Sequence, residues 1–165
     1  EFLKLIKELN GDWKERIDDL DVFWFEWDEE HKGRKYLMHL LNIVKNHFDL
    51  SSAIGYETWI RMNTRPRDWH RDHDDRLEMT TGELKYPICT TVYYPFVDEN
   101  VKDGRLCFEN GTVILPKTNR MAFFGPDIYH NVEPFKGERL SILLNPWNEP
   151  LCQTPCHDPW RRYMV

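Results

Sequence analysis

Two histidines and an aspartate are spaced in this chain as a metal-ligand set would be. His70 and Asp72 stand two residues apart in Trp69-His70-Arg71-Asp72, and His130 opens a strand-like segment far along the chain, in Ile128-Tyr129-His130-Asn131-Val132. Side chains two apart on an extended strand point to the same face, so His70 and Asp72 can share one metal. Two imidazoles and one carboxylate on one face of an octahedron leave other positions open, which suits a mononuclear iron(II) centre. His130 is the natural third ligand if it faces the first pair across a sandwich of sheets. His73-Asp74-Asp75 repeats the His-x-Asp pattern, and both pairs cannot fill the same role. His70 and Asp72 are preferred because Trp69 gives a packed strand entry. Asp74 and Asp75 instead lead into a polar, turn-like stretch from Arg76 to Gly82, which leaves His73 beside the site or at the surface.

Arg139 and Ser141 also share one face of a strand. A guanidinium presents a rigid fork of donors that matches a carboxylate bidentately, and the serine hydroxyl adds another donor. An arginine buried there without an anion is costly. The spacing leaves two partners equally open: an internal acid such as Glu57 or Glu109, or the carboxylate of a ligand.

The elements that must position these residues change character along the chain. Residues 1–50 read as mainly helical. Leu3, Ile6 and Leu9 make a short apolar stripe that Asn10-Gly11 would stop. A longer helix is expected from Glu29 to Asp49, with Leu37, Leu40, Leu41, Val44 and Phe48 on one face. The aromatic run Val22 to Trp27 reads as packing, either a short strand or a cap over the core. Strand patterns follow from Ile54 to Met62, Trp69 to Asp72, Ile88 to Phe96, Leu106 to Phe108, Val113 to Leu115, Met121 to Phe124 and Arg139 to Leu144. Asn110-Gly111 between two of them is a hairpin signal. Helices followed by antiparallel strands give an α+β chain with a jelly-roll core, N-terminal helices packed on one sheet, and a mouth between two sheets. The expected organisation is one domain over 1–165: helical support over 1–50, the core over 52–147 and a loop-rich tail over 148–165.

Composition narrows the function. The chain has 165 residues, enough to bury a core without disulfides. A formal charge of −6 argues against a broad phosphate-binding surface, so nucleic acid is not an expected partner. Arg61, Arg65, Arg67 and Arg71 cluster before the proposed site and read as a solvated rim. No apolar run is long enough to span a bilayer, and no secretory signal is visible. Cys89 and Cys107 read as small buried hydrophobes. Cys152, Cys156 and His157 lack the fourth ligand and the pairing of a structural zinc site, which is not expected. A reducing, cytoplasmic setting is the expectation.

Taken in order, His70-x-Asp72, His130 and Arg139-x-Ser141 resemble the iron(II)- and 2-oxoglutarate-dependent oxygenases, and most of all their prolyl-hydroxylase-like branch. Tyr93-Tyr94, Gly104-Arg105-Leu106, Pro126 to Pro134 and Asn145-Pro146-Trp147 add to the likeness, which covers roughly Tyr56 to Trp147. The resemblance implies a double-stranded β-helix core. It implies that His70, Asp72 and His130 hold Fe(II). It also implies that Arg139 pairs with the distal carboxylate of 2-oxoglutarate, assisted by Ser141, with Tyr94 placed to reach the same carboxylate and Met62 or Asn63 near another contact. Where the branch often has paired glycines, this chain has Asp103-Gly104, so the local loop shape is open to question. The implied activity is hydroxylation of a C–H bond, most of all of a prolyl residue in a peptide or protein and next of a free amino acid. Dioxygen is consumed, and succinate and CO2 are released. Asp72 favours hydroxylation over halogenation, which needs a small residue there. Two other readings stand beside this one. One is a non-catalytic jelly roll that binds a metal or organic acid. The other is a zinc hydrolase, in which Arg139-x-Ser141 has no evident role and a glutamate base would be expected near the metal.

Overall fold

The structure, a computed structural model, describes residues 22–31, 33–61 and 66–152. The aromatic run at its start is an edge strand, β1 (Phe23–Glu26), paired antiparallel with β2 (Gly55–Arg61) from Phe23↔Thr58 to Glu26↔Gly55. Gly55 is needed at that crossing, because a Cβ would lie 2.7 Å from the Phe25 carbonyl oxygen. Between these strands runs α1 (Arg34–Val44), shorter at both ends than the expected helix from Glu29 to Asp49. Leu37, Leu40, Leu41 and Val44 of the expected apolar stripe are buried, while Phe48 falls beyond the helix end. The ends differ because local turns compete with the helix. Glu29 N–H bonds back to the Glu26 carbonyl, and beyond Val44 the chain closes tight turns from Asn46 to Ile43 and from His47 to Val44. The described part of the N-terminal support is therefore one strand and one helix. The stripe of Leu3, Ile6 and Leu9, with Asn10-Gly11, lies outside the described residues.

The major sheet has the order β1-β2-β11-β4-β8, where β4 is Thr90–Val97, β8 is Arg120–Phe124 and β11 is Arg139–Trp147. The second sheet has the order β3-β9-β6-β7, where β3 is Arg67–His70, β6 is Leu106–Phe108, β7 is Val113–Ile114 and β9 is His130–Val132. A ribbon of β5 (Lys102–Asp103) and β10 (Phe135–Lys136) precedes β11. Every pairing is antiparallel. No helix among the described residues is long and apolar enough to cross a membrane.

The alternation along β11 divides the molecule. Leu140, Ile142 and Leu144 pack with α1 into one core, while Arg139, Ser141 and Leu143 face the space between the sheets. Strand β4 keeps the same division only because its register against β11 shifts between Leu140 and Ile142. Pro95 sits at that bulge, where its missing N–H costs no ladder bond. Tyr93 and Phe96 consequently both face the helix-side core, while Tyr94 faces the other.

Several local expectations need correction. The stretch after Asp75 is a helix rather than a turn, α2 (Asp75–Thr81). The Asp74 carboxylate caps it by accepting from Leu77 N–H at 3.0 Å, and Gly82 ends it at φ +77°. The third strand ends at His70, so Asp72 lies just past it rather than on it. Cys89 is fully buried, but Cys107 is only partly so, since Leu106 and Phe108 are the inward positions of β6. The hairpin at Asn110-Gly111 forms as expected, with Phe108 N–H bonded to Thr112 O at 2.9 Å and Gly111 at φ +83°. Residues 148–150 of the tail form no helix or strand, and Cys156 and His157 lie outside the described residues.

Candidate metal centre

Strands β3 and β9 pair so that His70 and His130 are direct cross-strand partners. Their rings lie 4.3 Å apart between centroids, tilted by 51°. Each Nδ1 contacts the carbonyl two residues back, His70 to Asp68 O at 2.7 Å and His130 to Ile128 O at 3.0 Å. A carbonyl can only accept, so Nδ1 donates in each ring, and the neutral ring presents its lone pair at Nε2. Burial first, and then His130, holds the His70 imidazole below its ordinary pKa, in the neutral form that a metal needs.

Asp72 completes the group. Its Oδ1 is 3.6 Å from His70 Nε2, and ligand atoms of His70, Asp72 and His130 all fall within 4.8 Å of one another. Asp72 is 8% exposed, and its Oδ2 is buried without a hydrogen-bond partner. A buried carboxylate oxygen left unpaired is costly. Two lone-pair nitrogens and an orphaned carboxylate around one point fit a divalent transition-metal ion.

His73, Asp75 and Glu78 form a second group of possible ligands. There His73 Nε2 is 2.7 Å from Glu78 Oε2 and 3.3 Å from Asp75 Oδ1, but the Asp75 side chain is 84% exposed. None of these three lines the inner chamber that holds Arg139.

That chamber, about 40 Å³, lies between the sheets, lined on one side by His70, Asp72 and His130 and on the other by Tyr94, Arg139 and Ser141. Arg139 is 6% exposed and packs its guanidinium 3.9 Å from the Phe135 ring centroid and 5.6 Å from that of Tyr94. Its Nη1 donates to the Gly104 carbonyl. Burial pulls its pKa down from the ordinary arginine value. Among the described residues no carboxylate pairs with it. Glu57 is bonded to Asn145 instead, through Nδ2 to Oε1 at 3.2 Å, and Glu109 is exposed on the hairpin. Of the two partners left open by the sequence, the internal acids named are thus both elsewhere. A buried guanidinium with a hydroxyl and a phenol ring beside it fits an organic carboxylate.

Gly104 explains the shape of the loop around Arg139. It has φ +70°, and a Cβ on it would lie 2.7 Å from Arg139 Nη1 and 2.8 Å from Phe135 Cβ. Asp103, in the place of a second glycine, takes φ +66°. An aspartate tolerates that conformation, so the loop keeps its path without the paired glycine. Sequence reasoning did not find the chamber walls Trp59, Leu106, Val132 and Leu143. These are ordinary apolar strand residues, and nothing in their types marks them. Met62 and Asn63 lie outside the described residues.

An outer cleft of about 590 Å³ adjoins the chamber, sharing Trp59, Arg61, Arg67, His70 and Asp72 with it. His70 and Asp72 therefore stand at the boundary between the two spaces. Glu57 lines the outer one, and burial, followed by the charge of Asp72, pushes its carboxyl up to about 8.

Comparison with solved structures agrees with this architecture. The chain is similar to a prolyl-4-hydroxylase from Pseudomonas putida, with a TM-score of 0.62 and 16% identity over 90% of this chain and 86% of that one. The fold is the double-stranded β-helix. A second similar structure is the viral collagen prolyl hydroxylase of Paramecium bursaria Chlorella virus-1, determined with 2-oxoglutarate (TM-score 0.53, 18% identity, 89% of this chain and 90% of that one). A third is a 2-oxoglutarate/Fe(II) oxygenase-family oxidoreductase from Burkholderia pseudomallei (TM-score 0.54, 12% identity, 90% and 78%). No protein-family model matches the sequence. No curated protein matches it either. In this double-stranded β-helix, His70 and His130 project from one sheet and Arg139 from the other into one interior, with Asp72 just past the end of β3.

Proposed function

We propose that this protein is an Fe(II)- and 2-oxoglutarate-dependent dioxygenase that hydroxylates a C–H bond of a prolyl residue in a peptide or protein. The observation that carries the reading is the inner chamber itself. It sets two imidazoles and a carboxylate opposite a buried arginine that has no carboxylate partner among the described residues. The fold shared with prolyl hydroxylases adds support for the substrate class.

Each residue has a task in this account. His70, Asp72 and His130 hold the iron through His70 Nε2, His130 Nε2 and the Asp72 carboxylate, with the backbone carbonyls of Asp68 and Ile128 fixing the two rings. Arg139 and Ser141 hold the distal carboxylate of 2-oxoglutarate, and Gly104 O fixes the guanidinium. Tyr94 lies against that guanidinium and screens it from water. Bound iron(II) supplies dioxygen activation, coupled to oxidation of 2-oxoglutarate to succinate and CO2 and to oxygen insertion into the substrate C–H bond. The outer cleft admits the substrate to the face of the triad that His70 and Asp72 share with it.

The test is succinate formation from 2-oxoglutarate with iron(II) and dioxygen, alongside a mass shift of one oxygen in proline-containing peptides. A non-catalytic binding module would bind 2-oxoglutarate or metal and release no succinate.

A further inference from the structure

Glu57 takes no part in the chemistry above, yet it lies beside it. It is 8% exposed, on β2, and lines the outer cleft together with Trp59 and Asp72. The strongest charges acting on it are those of Asp72 and Asp75, both acidic, and no cation forms an ion pair with it among the described residues. A buried acid without a cation is a poor packing element, and an amide or apolar side chain would serve stability better.

The acid is nevertheless held firmly. Asn145 Nδ2 donates to its Oε1 at 3.2 Å, and Asn145 is itself locked by Thr91 N–H, which donates to Asn145 Oδ1 at 3.1 Å. Asn145 is fully buried. The Trp147 indole also lies against the carboxyl. The carboxyl is thus anchored from behind through Oε1, and Glu57 forms part of the cleft wall next to a proposed iron ligand. Arg67 and Arg71 at the rim can only donate, whereas Glu57 supplies a buried acceptor. Asp68 and Asp75 are acceptors as well, but both are exposed, where such contacts are worth little.

We propose that Glu57 orients the substrate by taking one of its N–H donors, either a backbone amide of a peptide or the ammonium of a free amino acid. The inference rests on the oxygenase reading for what the cleft admits. The shared chemistry is an N–H group held beside the metal, which fixes the C–H bond presented to it.

Oligoproline capped as an acetyl methyl ester has no N–H group, while a capped alternating Pro-Ala peptide of the same length has several, and L-proline brings an ammonium. Their binding is read by tryptophan fluorescence, since Trp59 and Trp69 line the cleft. The full chain is loaded with iron(II) and 2-oxoglutarate without oxygen, so that binding is measured apart from turnover. The wild type is expected to bind the Pro-Ala peptide or L-proline at least about tenfold more tightly than oligoproline. Glu57→Met, unbranched and without an acceptor, removes that preference and leaves 2-oxoglutarate affinity unchanged. The Pro-Ala peptide and L-proline separate the two sources, and Glu57→Gln, which keeps a carbonyl acceptor in the same place, retains most of the affinity for the probe that binds. Equal binding of all three probes by the wild type overturns the inference. So does a preference that survives in Glu57→Met with an unchanged melting temperature. If Glu57→Met fails to fold, Glu57→Ala is read in the same way. Absence of 2-oxoglutarate consumption with or without any probe would instead sink the oxygenase reading, and the binding comparison is decided independently of it.

Discussion

His70 and His130 face each other as cross-strand partners on β3 and β9, with ring centroids 4.3 Å apart. Residues far apart in sequence are brought into contact by one antiparallel register, and the same backbone device occupies Nδ1 of both rings. A one-residue slip of that pairing would turn one histidine out of the barrel.

His70→Ala, Asp72→Ala and His130→Ala are each expected to weaken iron(II) or cobalt(II) binding by more than about a hundredfold, since even outer-shell partners of metal ligands cost about 10–100-fold. Circular dichroism should stay unchanged. His73→Ala should leave metal affinity intact. Metal titration followed by absorbance of the cobalt form measures both. Loss of binding in His73→Ala together with retention in His70→Ala would move the centre to the second His-x-Asp pair.

Gly104→Ala should disturb the co-substrate pocket from behind. The substitution places a methyl group 2.7 Å from Arg139 Nη1 at a backbone φ of +70°. A destabilisation of about 1–3 kcal/mol is expected from the backbone conformation alone, together with weaker 2-oxoglutarate binding. Asp103→Gly at the adjacent positive-φ position should instead be neutral or stabilising. Urea unfolding of the two variants gives the comparison, and a fully stable Gly104→Ala with wild-type affinity would contradict the packing described.

His31 sets an acid limit on stability. It is stacked on Phe25 at 3.8 Å, with Nε2 2.7 Å from the Tyr56 hydroxyl, and burial holds its pKa at about 4, below the ordinary 6.5. Between those two values the unfolded chain binds a proton that the folded chain does not. Its contribution is therefore present above pH 6.5 and is lost as the pH falls toward 4. Denaturant midpoints should fall over that window, and the fall should be shallower in His31→Gln. Parallel profiles for the two proteins would show that His31 is not the group responsible.

The grouping of His70, Asp72 and His130 across from Arg139 and Ser141 was legible from residue types and spacing, because such polar side chains stand out in an apolar interior. Arg139 and Ser141 could be placed on one face from the period of a strand alone. The boundaries were less legible where local capping prevailed over periodicity. Asp74 and Gly82 turn an apparently polar loop into α2, and the turn at Glu29 shortens α1. Asp72 shows the limit of the strand argument: it reaches His70 from beyond the strand end, held by tertiary structure rather than by pleat geometry. Glu57 was read as a possible partner for Arg139, since sequence shows an acid but not which neighbour anchors it; Asn145 does.

In the proposed function Arg139 holds the distal carboxylate of 2-oxoglutarate opposite His70, Asp72 and His130. Removing one partner of a desolvated charge pair costs about 3–5 kcal/mol, which is about two to three decades in affinity. The most direct measurement is a 2-oxoglutarate titration of succinate release at saturating iron(II), comparing wild type, Arg139→Ala and Arg139→Lys. The account predicts saturable succinate release by the wild type. It predicts a Michaelis constant for 2-oxoglutarate raised by about a hundredfold or more in Arg139→Ala, with partial recovery in Arg139→Lys because an ammonium lacks the forked contact. No succinate from the wild type, or superimposable titration curves for wild type and Arg139→Ala, would contradict it.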